Sequence, residues 1–362
     1  MRRLGHHRRL GHRGRTILAV VVLLVVGAAL GLGGLKAAHK LHLTTPSSVA
    51  QASAGYDLNA PTAAAVEGRD LFVANEAGNS VSVINASTGA HLATLSGGSF
   101  AFDRPTAIIA LGPDLFVANG AGNSVTEING NSRTLIRIIS GPQFQFSHPI
   151  ALAGDKGRLF VLSSDGPVTA LSTTSGALAG VAAGSQFGFA TPRGVAASGN
   201  DLFVTNSSTN SIVKIDARTM AYVTTLRGAA YGLKNPIGAA IDGNDLWVTN
   251  EAGDSVTEIS IRTDAPVRVV VDHTNLPTPG PITVGDGYVF TLSPPGVSPM
   301  VTQVTPNDGT VPWMMCNTNG PYLFSNPQAA VVSGSNLWVV SKASSSLTEM
   351  NTDSGALIRT IS

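Results

Sequence analysis

The chain has 362 residues, 23 Lys and Arg against 22 Asp and Glu, and one cysteine, Cys316, which excludes an intrachain disulfide. The formal charge of +1 conceals two unlike parts. Residues 1–43 hold eight basic side chains and no acid, which leaves 15 basic against 22 acidic side chains beyond them, a charge of −7. Such an acidic body argues against nucleic acid, whose phosphates need clustered Lys and Arg.

Residues 1–15 form a basic tail with six arginines, and residues 16–35 that follow are uncharged and dense in Val, Leu, Ala and Gly. Twenty residues at the helical rise span ~30 Å, the thickness of a bilayer's hydrocarbon core. Six arginines before the segment, against Lys36 and Lys40 after it, predict a signal anchor with the N-terminus in the cytoplasm. The rival reading is a cleaved signal peptide with its apolar region at 17–26, cut at the small residues of 26–28 or 50–52. The first reading tethers the body to the cell membrane, the second secretes it, and both export it. Residues 36–60 then serve as a tether, polar from 44 onward.

From there on, one phrase repeats. Pro61, Pro105, Pro149, Pro192, Pro236, Pro281 and Pro327, 43 to 46 residues apart, each open a small-apolar stretch. An Asp-Leu-Phe/Trp-Val run, an Asn/Gly turn and a Ser-Val-Thr-Glu-Ile run follow in the clearest copies. In the second copy, residues 106–110, 114–118, 124–128 and 134–139 suit four strands, with Val125 and Glu127 alternating against Thr126 and Ile128. Four short antiparallel strands per repeat make a propeller blade, so residues 61–362 predict an all-β, seven-bladed β-propeller. The sixth copy is degenerate, with Pro294, Pro295 and Pro299 in its loop. The seventh is complete, which predicts closure by packing blade one on blade seven, with no strand exchanged.

The phrases Leu115-Phe-Val-Ala-Asn119, Asp201-Leu-Phe-Val-Thr-Asn206 and Asp245-Leu-Trp-Val-Thr-Asn250 resemble NHL and YVTN-type repeats of bacterial propellers. The Phe-x-Phe-x-x-Pro lead-ins at Phe100/Phe102, Phe144/Phe146 and Phe187/Phe189 belong to the same resemblance, which covers residues 61–362. It implies extracellular sensor or scaffold modules that bind proteins, glycans or small molecules. A minority of such propellers are enzymes, including streptogramin-type and peptidyl-hydroxyglycine lyases. Fold likeness of this kind does not assign chemistry.

The body carries three histidines. His91 falls in a predicted outer strand, His273 in the loop before Pro281, and His148 directly before Pro149, where a loop enters an innermost strand at the channel rim. The other residues flanking the opening prolines complete a ring there. Arg104, His148, Arg193, Asn235, Asn326 and Gln328 are its polar members, able to offer donors to an anionic or hydroxyl-rich ligand. Loop hydrogen bonding is the plainer use of the same groups.

Glu76, Asp165, Glu251 and Asp254 fall in the second-to-third-strand loops, as an acidic face or a weak calcium site without Asp-x-Asp-x-Asp spacing. The Asn pairs Asn75/Asn79, Asn119/Asn123 and Asn206/Asn210 fit turn chemistry. The Phe-x-Phe rings, continued by Tyr231 and Tyr322/Phe324, fit wedges between blades. Cys316 beside Trp313, Met314 and Met315 fits a packing residue.

The expectation is a membrane-tethered binding, sensing or scaffold module for an extracytoplasmic protein, glycan or small molecule, without cofactor or metal. The alternative is a metal-assisted lyase or hydrolase resembling streptogramin lyases, in which His148 would be the base and Glu251 a ligand to a divalent metal. Asn250 stands where such blades often carry a carboxylate, which weakens the alternative.

Overall fold

The computed structural model describes residues 55–293, 300–316, 322 and 324–362. The basic tail, the 16–35 segment, most of the tether and the 294–299 part of the sixth repeat's loop lie outside the described residues. No described helix is long and apolar enough to cross a membrane.

Seven four-stranded antiparallel sheets follow one another, each with its strands in chain order. Blade one comprises Pro61–Glu67, Asp70–Asn75, Ser80–Asn85 and His91–Leu95, and blade two Pro105–Leu111, Asp114–Asn119, Ser124–Asn129 and Thr134–Ser140. Blade seven comprises Pro327–Ser333, Asn336–Ser341, Ser346–Asn351 and Leu357–Ile361. The first strand of each blade packs against the first strand of the next, and that of blade one against that of blade seven. The ring therefore closes with no strand exchanged among the described residues. Proline suits the first position of a strand, where its missing N–H costs no ladder bond.

The packed body begins slightly ahead of Pro61. Tyr56, inside the expected tether, is buried with Leu71, Trp338, Val340 and Leu347, and its hydroxyl donates to Gly89 O at 3.0 Å. It occupies the place that Phe100 takes before blade two. The aromatic lead-ins stack in pairs, Phe100 on Phe102 at 5.3 Å and Phe144 on Phe146 at 5.5 Å. Phe102 shares a cluster with Phe72 and Val83 of blade one and Leu115 and Ile128 of blade two. These rings are wedges between blades.

Second strands are apolar in their middle because a neighbouring blade covers each face. Leu71, Phe72, Val73 and Ala74 are all fully buried. Third strands are buried on both faces too, so the expected alternation at Ser124–Asn129 does not separate a wet face from a dry one. Glu127 is 1 % exposed there, directly opposite Arg137 on the fourth strand at 2.9 Å. Glu258 with Arg268, and Glu349 with Arg359, repeat the pair in blades five and seven. The arginines reach onward to the next blade: Arg137 donates to Thr174 O and Arg359 to Ser87 O. Gly176 and Gly89 make room for those stems, since a Cβ on either would strike them, and both have positive φ, 69° and 72°.

A buried asparagine ends the second strand of blades one, two, four and five, and in three of them it knits the blade together. Asn119 Nδ2 donates to Ser124 Oγ and Thr126 Oγ1, and Thr126 Oγ1 donates to Phe100 O at 2.8 Å. Asn75 with Ser82, and Asn250 with Thr257, do the same. In blade four Val213 stands where Thr126 stands, and the buried Asn206 Nδ2 is left without a partner. Val213→Thr is therefore expected to stabilise the protein by ~1 kcal/mol, the net worth of a satisfied buried bond. Urea denaturation of the two forms measures it; a destabilised variant would show that the hydroxyl finds no acceptor.

Candidate functional site

The channel rim is built from backbone that its sequence strains. Ala60, Arg104, His148, Thr191, Asn235 and Asn326, each directly before an opening proline, all have φ between 48° and 55°. Residues before proline ordinarily avoid helical backbone, so hydrogen bonds must hold this conformation. Arg104 N donates to Asn79 Oδ1, His148 N to Asn123 Oδ1 and Asn235 N to Asn210 Oδ1, each at 2.7 Å from the preceding blade. At the closing seam Ala60 N donates to Ser345 Oγ at 3.3 Å. The second asparagine of each expected turn pair is thus also a clasp between blades.

Asn123 itself has φ 46°, which glycine adopts freely. Asn123→Gly keeps the turn and deletes the clasp. A loss of ~1 kcal/mol is expected, with faster hydrogen exchange at the His148 amide; unchanged exchange there would show that the clasp holds nothing.

On this frame the side chains of blades seven, one, two and three meet. Glu76 follows the second strand of blade one and its side chain is 12 % exposed. Its Oε1 accepts from Arg104 Nε and Nη2, and its Oε2 from Lys342 Nζ. Burial alone would raise the Glu76 carboxyl, but the bonds from Lys342 and Arg104 outweigh it and hold the pKa below its ordinary value. Two depressions adjoin this triad. One, of about 410 Å³, is lined by Ala60, Glu76, Ala77, Asn79, Arg104 and Lys342. The other, of about 200 Å³, runs from Glu76 and Arg104 past Thr106, Gly120 and Ala121 to His148, Pro149 and Ile150. The hollow exists because Ala60, Ala77, Gly120 and Ala121 are small.

The remaining ring members are engaged elsewhere. Asn235 Nδ2 donates to Glu251 Oε2 within blade five, and Gln328 Nε2 to Asn326 Oδ1 at 2.6 Å within blade seven. Arg193 is exposed on the innermost strand of blade four and lines neither depression. Of the polar ring members, Arg104 and His148 alone share a hollow, and Glu76 of the loop acids shares it with them.

The four loop acids are likewise separate. Asp165 accepts from Ser147 Oγ at 2.5 Å, and Asp254 accepts from Thr278 N at 2.8 Å and pairs with His273 Nδ1 at 3.0 Å. The Thr278 amide, then His273, hold the Asp254 carboxyl below its ordinary value. His91 bonds Thr94 in the outer strand of blade one. Lys342 escaped the sequence reading. Its signal is positional, since it follows Ser341 as Glu76 follows Asn75, but its partner lies 266 residues away across the closing seam.

A lyase of the alternative kind would need a metal held by converging donors. His148 belongs to blade three and Glu251 to blade five, where Asn235 occupies a carboxylate oxygen. No three His, Cys, Asp or Glu converge among the described residues. The donor set does not fit a metal.

No family model matches the chain, and no curated protein does. Solved structures do. A streptogramin B lyase matches with a TM-score of 0.67 and 15 % identity, covering 82 % of this chain and 94 % of that one. The computationally designed protein Ika8 matches with 0.62 and 16 %, over 84 % and 87 %. A chain of a mitotic checkpoint complex matches with 0.62 and 17 %, over 89 % and 97 %. An enzyme, a designed protein and a checkpoint assembly share no chemistry, and at these identities the likeness is one of fold alone; the fold of this chain is a seven-bladed β-propeller.

Proposed function

We propose that this protein is an exported binding or sensing module, tethered to the membrane through residues 16–35, that seats its ligand at the channel rim of blades seven, one, two and three. One observation carries the reading: two adjoining depressions share Glu76 and Arg104, and both open beside exposed donors. Ligand sites combine a concave, mostly apolar wall with a few placed polar groups, and rigid scaffolds place them on loops. The hollows are of small-molecule size, so a protein or glycan partner would present one small group to them.

The test is a titration of the full chain, labelled at its alanine and isoleucine methyls, with a library of small soluble compounds. Shifts are expected to gather at Ala60, Ala77, Ala121 and Ile150. Shifts confined to exposed isoleucines of the outer strands, such as Ile136, Ile138 and Ile358, would sink the reading.

A further inference from the structure

The charges and the shape of the rim together narrow what it can hold. Arg104 and Lys342 bring two positive charges and Glu76 one negative, so the triad carries a single positive charge. Arg104 has five N–H donors, of which Nε and Nη2 spend two on Glu76. Its side chain is 66 % exposed, which leaves three N–H donors for a ligand. Lys342 has three donors and commits one. Glu76 is the opposite case, sunk in the rim with both oxygens occupied. It acts as a fixed counter-charge and offers little to a ligand cation.

We propose that the rim takes a singly charged carboxylate with an apolar body, its head across Arg104 and Lys342 and its body against Thr106, Ala121, Pro149 and Ile150. The proposal rests on the rim reading above and adds the ligand's class. A monoanion completes a neutral cluster of four charges. A phosphate dianion leaves that cluster negative and meets the Glu76 carboxylate at close range, where like charges repel. An uncharged amide forgoes the charge-assisted bonds, which are about twice as strong as neutral ones. The apolar body follows from the second depression, whose wall beyond Arg104 is a proline ring, an isoleucine, an alanine and a threonine with its methyl, with the His148 ring as its one other polar side chain. Gly120 keeps that lobe open, since a Cβ there would stand 2.7 Å from the Thr106 methyl.

Three probes of one shape separate the possibilities: phenylacetate, phenylacetamide and phenyl phosphate, titrated calorimetrically into the full chain above neutral pH, where the phosphate is mostly a dianion. Phenylacetate is expected to bind about tenfold or more above the other two, the scale of one charge-assisted bond. Arg104→Gln and Lys342→Gln are each expected to weaken it by about tenfold. Glu76→Gln raises the triad to two positive charges, so the ranking is expected to turn towards phenyl phosphate. That ranking is a ratio within one variant, and so survives any loss of folded fraction in Glu76→Gln.

Preference for the phosphate or the amide in the unaltered protein overturns the proposal. So does a ranking that Glu76→Gln leaves unchanged, or the failure of all three probes to bind. In the first case, continued sensitivity to Arg104→Gln leaves the rim reading standing. The rim reading falls only to the methyl titration, so the two failures are told apart.

Discussion

Replacing Arg359 with methionine is expected to cost about 3 kcal/mol of stability near neutral pH, because it strands a buried charge. Glu349 is fully buried, and its Oε2 pairs with Arg359 Nε at 2.6 Å while Oε1 accepts from Asn336 Nδ2 at 2.7 Å. Burial pushes this carboxyl above its ordinary value even with Arg359 and Asn336 pulling against it. Without the guanidinium it must either stay ionised at greater cost or take up a proton. The cost of taking up the proton grows as pH rises above the ordinary carboxyl value until it meets the fixed cost of the ionised form, and the penalty vanishes below that value, where the group is neutral in both folded and unfolded chains. Urea denaturation of the variant should therefore show a large deficit at neutral pH and a small one in mild acid. Equal deficits would show that Arg359 acts through packing and not through charge.

The position of this pair adds a second readout. Arg359 Nη2 also donates to Ser87 O of blade one, across the one seam of the ring that no peptide bond crosses. Lys342 with Glu76 and Ser345 with Ala60 hold the same seam at the rim. Local opening there should hasten hydrogen exchange in blades one and seven first, ahead of the rest.

The fold was legible because each blade repeats the same local chemistry. An opening proline marks an innermost strand, Asn and Gly mark turns, and the aromatic lead-in marks a wedge. These signals need no knowledge of what lies beside a blade. The rest was hidden because it depends on neighbours. Glu127 looks like the polar residue of an alternating strand, which in an open antiparallel sheet faces water; in a propeller a second blade covers that face.

Lys342 has no local feature that announces Glu76, since only closure of the ring brings them together. His148 precedes the opening proline of blade three and Glu251 follows the second strand of blade five, so blade four stands between them. One coupled signal does lie in the sequence. Thr62 and Thr106 carry their bridging hydroxyl on the innermost strand, bonded to Pro105 O and Pro149 O of the next blade. Blades four and five put glycine nearby, at Gly194 and Gly238, and move the hydroxyl to Thr205 and Thr249 on the second strand, bonded to Ile237 O and Gly280 O. Pro-Thr with Val-Ala-Asn, and Pro-x-Gly with Val-Thr-Asn, are two ways of writing one bridge.

Stability is expected to fall as pH rises through the titration of Glu127, and Glu127→Gln is expected to remove that fall. Burial pushes this carboxyl up to about 7, with Arg137 opposing and Asp114 adding to the rise. A folded-state value above the unfolded one means the folded chain holds the proton more tightly. Its contribution is then fully present below the ordinary value of 4.5 and is lost as pH climbs to about 7. At 1.36 kcal/mol per unit of difference, the loss is ~3 kcal/mol.

Glu258 and Glu349 titrate upward as well, so the difference between the unaltered protein and the variant, and not either curve alone, isolates Glu127. Glutamine is already used at the equivalent rung. Glu127 lies opposite Phe116, and in blade six Gln303 lies opposite Phe290, 1 % exposed, donating to Thr352 O of the next blade. A neutral amide therefore fits this place between blades, and Arg137, 30 % exposed, keeps solvent and Thr174 O when its partner is neutral. Removing the buried carboxylate leaves an arginine that solvent reaches, whereas removing the arginine strands a buried charge, which is why Glu127→Gln and Arg359→Met are expected to act in opposite directions. The measurement is the denaturation midpoint from mild acid to above neutral pH. The variant should match or exceed the unaltered protein at the upper end. A variant that is less stable throughout would mean that the Glu127–Arg137 attraction outweighs the cost of burying the charge.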